Sequence, residues 1–132
     1  MSNLVQSIIG EKPPQIILRD SAEPKVHGFY SYVRINSNCF QEAKDEHEIE
    51  NFLRCVTGVT NQMVTNAIQA LVTAEIFSVD TLIADYLQYT NQQSCKEWFR
   101  TSYGLSPGMS NLVWNYIQDL HKKFDSQYEA AV

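Results

Sequence analysis

SPGMSNLVWNYIQDLHKKF, residues 106–124, carries the clearest helix signal in the chain. Ser106 is a favourable N-cap, and Pro107 falls at the first helical position, where its missing N–H costs no hydrogen bond. The spacing predicts a helix that runs beyond Phe124 and frays from about residue 125. Its apolar residues recur at intervals of three and four and form one stripe: Met109, Leu112, Val113, Tyr116, Ile117, Leu120 and Phe124.

Helical periodicity also covers the residues upstream of this segment, as far back as residue 40. Turn and cap residues separate the periodic stretches, and glycine ends two of them. We therefore expect about five helices from residue 40 onward. Their predicted limits are Phe40 to Gly58, Thr60 to about Phe77, Ser78 to Tyr89, Cys95 to Gly104, and the helix that begins at Ser106.

The first 39 residues differ in composition from the rest and contain the best strand candidates. Gln15–Arg19 is a short apolar run after two prolines, and Val26–Ile35 is rich in Val, Ile, Tyr and Phe. Turn-forming residues at 20–24 separate the two runs. The predicted fold class is therefore mainly α, of the α+β type, with an N-terminal two-stranded β-hairpin packed on the helices. We expect one domain over residues 1–132, with a strand-containing segment 1–39 and a helical core 40–132.

The charge and the cysteine content limit which partners and which compartment suit the protein. Ten basic and fifteen acidic residues give a net charge of −5, which disfavours nucleic acid and anionic membrane surfaces as partners. No stretch resembles a secretory signal or the roughly 20 apolar residues of a membrane span. The three widely spaced cysteines are typical of reduced thiols, so we expect a cytoplasmic protein without a membrane partner.

The sequence contains no recognisable catalytic, cofactor-binding or metal-binding motif. The zinc-protease pattern fails because Asn51 stands four residues after His47, where the second histidine is needed. The glycines form no phosphate-binding loop. Among possible nucleophile and base residues, Cys39, His47 and His27 are the best candidates, although no local motif supports them.

One long stretch of the chain is depleted in charge. Between Arg54 and Lys96 there is no Lys or Arg, and Glu75, Asp80 and Asp85 are the only charged residues. Two explanations remain open. Either the two helices of this stretch are central to the fold, or another chain covers them, because charge depletion also marks interface cores.

Two features are candidates for partner binding. Trp114 lies off the apolar stripe of its helix, and an exposed Trp is enriched at binding hot spots. Glu42, Glu46 and Glu50 lie on an acidic helix face, which also includes Asp45 and Glu48. That face is either simply solvated or a docking surface for a basic partner.

These observations favour a non-enzymatic, acidic protein-interaction or regulatory module that docks on another protein and self-associates as a homodimer or homo-oligomer. A nucleic-acid-associated regulator that uses the basic residues near both ends of the last two helices is the alternative. A helix-turn-helix can also be drawn through residues 60–89. Its second helix would carry Asp80 and Asp85 and no basic residue, which is the wrong charge for a DNA groove. A small enzyme whose residues meet only in the fold is the third possibility.

Overall fold

The computed structural model describes residues 23–39, 47–89 and 91–131. Within them the chain forms six helices and no strand. None of these helices is long and apolar enough to cross a lipid bilayer. The helices are α1 (Glu23–Asn36), α2 (Glu48–Cys55), α3 (Asn61–Thr73), α4 (Val79–Gln88), α5 (Gln92–Tyr103) and α6 (Pro107–Ala131).

The segment Val26–Ile35, predicted as a strand, is helical and forms most of α1. The prediction of a two-stranded hairpin, and with it the α+β class, is therefore wrong for the residues that the structure describes. Strand propensity is a weak preference that packing overrides. As a strand, this segment would also have had apolar side chains on both faces, with no clearly polar face for solvent. The helical period instead gathers Phe29 and Val33 on one buried side. The other predicted strand, 15–19, lies outside the described residues.

Four predicted helix boundaries that depend on local hydrogen bonds are confirmed, whereas α3 ends at Thr73 rather than at Phe77 and α5 begins at Gln92 rather than at Cys95. The Oγ1 of Thr60 accepts a hydrogen bond from the N–H of Met63 at 3.1 Å, as an N-cap does. Ser78 caps α4 in the same way, and Ser106 caps α6. Gly104 ends α5 in the left-handed conformation, with φ of 75°.

The start of the predicted second segment differs from α2. Residues 40–46, which include its expected first turns, lie outside the described residues, and α2 begins at Glu48. Its apolar side chains Phe52 and Leu53 enter the core. Glu48, expected on a solvated acidic face, is buried instead. Its carboxylate accepts hydrogen bonds from Arg34 of α1 and from the N–H of Val79 at the start of α4.

The long helix α6 packs against α1, α4 and α5. It continues to Ala131, through the segment predicted to fray. Aromatic rings fill the junction of α1, α4 and α6: the ring of Phe29 lies 4.7 Å from that of His121 and 5.7 Å from that of Phe124. Tyr86 of α4 completes the junction, since its hydroxyl lies 2.9 Å from Nδ1 of His121.

The two helices of the charge-depleted stretch differ in burial. α4 contacts α1, α2 and α6 and buries half of its residues, so it is central to the fold. Its exposed side chains are Asp80 and Gln88, and neither could hold a phosphate. α3 buries only Val64, Ala67 and Leu71, and its other side faces outward.

Candidate interaction surface

The outward side of α3 is a continuous surface without charge. Its exposed side chains between the first and last turns are amides, hydroxyls and one aliphatic group, and Val72 is 52% exposed. An internal hydrogen bond of 3.0 Å joins Gln62 to Asn66. We call this the neutral surface and define it by Gln62, Thr65, Asn66, Gln69, Val72 and Thr73.

A groove runs beside the neutral surface, between the C-terminal half of α3 and the C-terminal end of α5. Its volume is about 540 Å³. Small residues form part of its lining: a Cβ added to Gly104 would lie 3.6 Å from that of Ala70. The other lining side chains are polar and carry no charge at neutral pH, so the groove continues the chemistry of the neutral surface. The residues that line it include Gln69, Ala70, Ala74, Thr101, Ser102 and Gly104.

A buried polar network fixes the α5 wall of the groove to α4. The carboxylate of Asp85 accepts a hydrogen bond from Nε1 of Trp98 at 2.9 Å and a short one from the hydroxyl of Tyr103. Burial and the nearby Asp85 carboxylate raise the pKa of Tyr103, and the same two causes raise the pKa of the Cys95 thiol to about 12. Both groups therefore stay protonated at neutral pH, and the network serves to position α5.

The link between α3 and α4 leaves an aromatic ring in solvent. α3 ends with Glu75 in the left-handed region, at φ of 60°, and the N–H of Ile76 bonds back to the carbonyl of Leu71 at 2.8 Å. Ile76 is partly buried and Val79 is fully buried, but Phe77 between them is 66% exposed. Phe77 is thus the most exposed of the large hydrophobic residues in the described part of the chain.

Trp114, expected as a surface anchor, is buried and only 7% exposed. Its ring lies 6.1 Å from that of Tyr86, and Nζ of Lys96 lies 5.2 Å from its centroid. The prediction of one apolar stripe on α6 missed this position because several helices cover α6 from different sides. The exposure for which Trp114 was named is therefore absent, and its role in binding a partner stays a prediction.

The acidic candidates are only partly described. Glu42 and Glu46 lie outside the described residues. Glu50 is partly exposed on α2, and Nε of Arg54 donates to its carboxylate at 2.9 Å. His47 lies 3.9 Å from the same carboxylate. Glu50 is thus part of a local surface ion pair, and the docking role predicted for the acidic face stays a prediction.

The three candidates for nucleophilic chemistry occupy different environments. Cys39 is buried, and its thiol donates to the carbonyl oxygens of Ser37 and Glu48 at 3.4 and 3.5 Å. The side chain of His47 is 67% exposed on the surface, and His27 is exposed on α1. Across the described ranges, no group of three or more His, Cys, Asp or Glu side chains could hold a metal ion.

Sequence reasoning located the charge-depleted stretch but not the residues that make it a surface. Phe77 was taken as the end of a helix, although its place directly before the cap Ser78 could have identified it as a link residue. Asp85 was recognised as one of few charges, but its hydrogen bonds with Trp98 and Tyr103 were not predicted. No family model, curated protein or solved structure matches the chain.

Proposed function

We propose that the protein is a non-enzymatic interaction module that acts by docking on a second copy of itself through the neutral surface. The observation that carries this proposal is the charge-free outer side of α3, in a chain whose net charge is −5. We include a cytoplasmic location in the proposal, which the three free thiols support.

A second copy is the partner that this surface fits best. Most of the molecule repels a copy of itself because both carry excess negative charge. A surface without charge avoids that repulsion. Amides and hydroxyls both donate and accept hydrogen bonds, so a two-fold pairing of Gln and Asn side chains is complementary to itself. Arg54 donates to Asn61 at one end of α3 and Glu75 follows the other end, so a partner recognised by complementary charge would find none to match on the neutral surface itself.

The size of the surface indicates a weak and reversible dimer. With 13 residues at about 1.5 Å each, α3 is only about 20 Å long. Even with the groove, the contact falls short of the roughly 800 Å² per partner that typical stable complexes bury. We therefore expect a micromolar to submillimolar dissociation constant, as in transient assemblies.

Sedimentation velocity over a concentration series up to about 500 µM tests the proposal. The informative variant is Asn66→Asp, which keeps the oxygen that accepts the bond from Gln62 but adds a charge to the neutral surface. We expect the dimer to weaken at least about fivefold, since like charges would face each other across the interface. Asn115→Asp on α6 is the matched control, because Asn115 is also an exposed mid-helix amide.

Salt dependence separates homotypic docking from electrostatic binding. Added salt screens the overall repulsion between two acidic copies, so self-association should stay constant or strengthen. Binding driven by phosphate or by a basic partner must weaken steeply instead. A strict monomer throughout the concentration series, or equal effects of the two Asp substitutions, would contradict the proposal.

A further inference from the structure

His121 of α6 lies where polar side chains of three helices meet. Its Nδ1 lies 2.9 Å from the hydroxyl of Tyr86 on α4, and its Nε2 lies 3.7 Å from Oδ2 of Asp125, one turn further along α6. The other carboxylate oxygen of Asp125 lies 3.3 Å from Nζ of Lys25 on α1. Asp125 therefore stands between a lysine cation and a histidine that becomes a cation in acid. We call these four residues the clasp.

The neighbours of His121 suit a neutral ring. A proton on Nε2 faces the carboxylate of Asp125, which leaves Nδ1 to accept the hydrogen bond from Tyr86. The ring also packs against that of Phe29, with 4.7 Å between the centroids, where water would otherwise solvate a charge. Burial lowers the pKa of His121; the Asp125 carboxylate opposes this effect, and the Lys25 cation adds to it. The closed clasp therefore binds a proton less readily than a histidine in water.

Protonation of His121 would disturb the contacts of the clasp with both other helices. A charged ring carries a proton on each nitrogen, so the hydroxyl of Tyr86 could no longer donate to it. Tyr86 is buried, so the loss of that acceptor is unfavourable. The charged ring would also attract the Asp125 carboxylate and repel the Lys25 cation. The ion pair at the start of α1 would weaken as a result.

The N-terminal half of α1 depends on these contacts more than its C-terminal half does. It contains Gly28, where a Cβ would lie only 3.2 Å from the ring of Phe124. Glycine permits this close approach but is a poor helix former, and two isolated helical turns are not stable in water. The C-terminal half is held separately, because Arg34 bonds to α2 and Ser37 bonds to α6.

We infer that protonation of His121 opens the clasp and releases residues 23–30 from α6, while the rest of α1 stays in place. The opening is local, because the new charge acts on contacts that only this part of α1 makes. It also uncovers the rings of Phe29 and Phe124, so acid exposes apolar surface at this end of the molecule. This inference is independent of the neutral surface and of homotypic docking.

Amide hydrogen exchange of the full chain, measured by mass spectrometry at about pH 5 and about pH 7.5, tests the opening. After correction for the intrinsic pH dependence of exchange, the protection of residues 23–30 should fall by about threefold to thirtyfold at the lower pH. About thirtyfold is the limit for a histidine that titrates at about 6.5 in the open form and stays neutral in the closed form.

Urea distinguishes local opening from global unfolding. A local opening exposes little surface, so exchange of residues 23–30 should respond weakly to low urea concentrations, whereas exchange of residues 31–36 should respond strongly. If both segments responded equally, residues 23–30 would open only by global unfolding, and the inference would be overturned.

Two substitutions identify the group that titrates. His121→Gln keeps an oxygen that can accept from Tyr86 but does not titrate, so the protection of residues 23–30 should be equal at the two pH values. Lys25→Gln removes the cation that opposes protonation and leaves the core intact. It should give a smaller change between the two pH values than the wild type, and it serves as the test if His121→Gln fails to fold.

Lys123→Gln is the matched control for Lys25→Gln. Lys123 forms a surface ion pair on α6, with its side chain 61% exposed, so its substitution should leave the wild-type change intact. A full pH-induced loss of protection in His121→Gln, or equal effects of the two lysine substitutions, would overturn the inference.

Discussion

Glu48 joins three helices, and its removal should have a large effect on stability. The carboxylate receives hydrogen bonds from both guanidinium nitrogens of Arg34, at 2.8 and 3.3 Å, and from the N–H of Val79 at 2.8 Å. Its side chain is 10% exposed and that of Arg34 is 19% exposed, so water could replace these bonds only in part. Glu48→Ala would leave a largely buried cation and a buried N–H without their main partner.

The expected loss in the free energy of unfolding follows from that geometry. Breaking a fully buried ion pair costs about 3–5 kcal/mol. Here the residual exposure of Arg34 and its second contact, 3.4 Å from Asp80, reduce the cost, so we expect about 2–4 kcal/mol. For a chain of this length, Tm should fall by on the order of 10 °C. Glu48→Gln should be milder, since its amide oxygen can still accept from Val79.

Urea denaturation followed by circular dichroism at equilibrium is the appropriate assay. Glu50→Ala is the matched control, because Glu50 lies on the same helix and forms only a surface pair with Arg54. That substitution should cost less than about 1 kcal/mol. If Glu48→Ala were no more destabilising than Glu50→Ala, the reasoning from burial and bridging would be refuted.

Two further predictions concern pH and backbone conformation. Burial lowers the pKa of His121 below its usual 6.5. As the pH decreases, the unfolded chain therefore binds a proton at this histidine before the folded chain does. The free energy of unfolding should then fall as the pH decreases through and below about 6.5. His121→Gln should flatten this dependence in urea titrations between about pH 5 and 7; an equal slope would contradict it. Glu75→Gly should raise the free energy of unfolding by about 0.5–1 kcal/mol, and with it Tm, because glycine adopts φ of 60° without strain. A lower Tm would contradict this prediction.

The sequence was most informative where structure depends on nearest neighbours along the chain. The caps at Thr60, Ser78 and Ser106 and the stop at Gly104 each involve hydrogen bonds within a few residues, so their residue types were sufficient to predict them. Val26–Ile35 was misassigned because its content of β-branched and aromatic residues suits either a strand or a helix covered on several sides.

Features that depend on distant partners were not predictable from one sequence. The burial of Glu48 requires Arg34, which lies on another helix, and nothing near Glu48 in the chain indicates it. The charge-depleted stretch was evident from composition, but which of its two helices faces outward is decided by the packing of α4 at the centre. Trp114 was misplaced because helical periodicity describes one contact face, whereas α6 is contacted by several helices.

The packing of α1 on α6 joins an early and a late part of the chain, so the ribosome synthesises α1 long before α6. Phe29 contacts Phe124, and the hydroxyl of Ser37 forms a hydrogen bond of 2.8 Å with that of Tyr116, 79 positions further along the chain. During synthesis the apolar side of α1 therefore has no α6 to cover it until most of the chain has been translated. Such long-range contacts slow folding and prolong the lifetime of intermediates that expose apolar surface. A nascent chain whose translation stops before α6 should therefore be bound by chaperones.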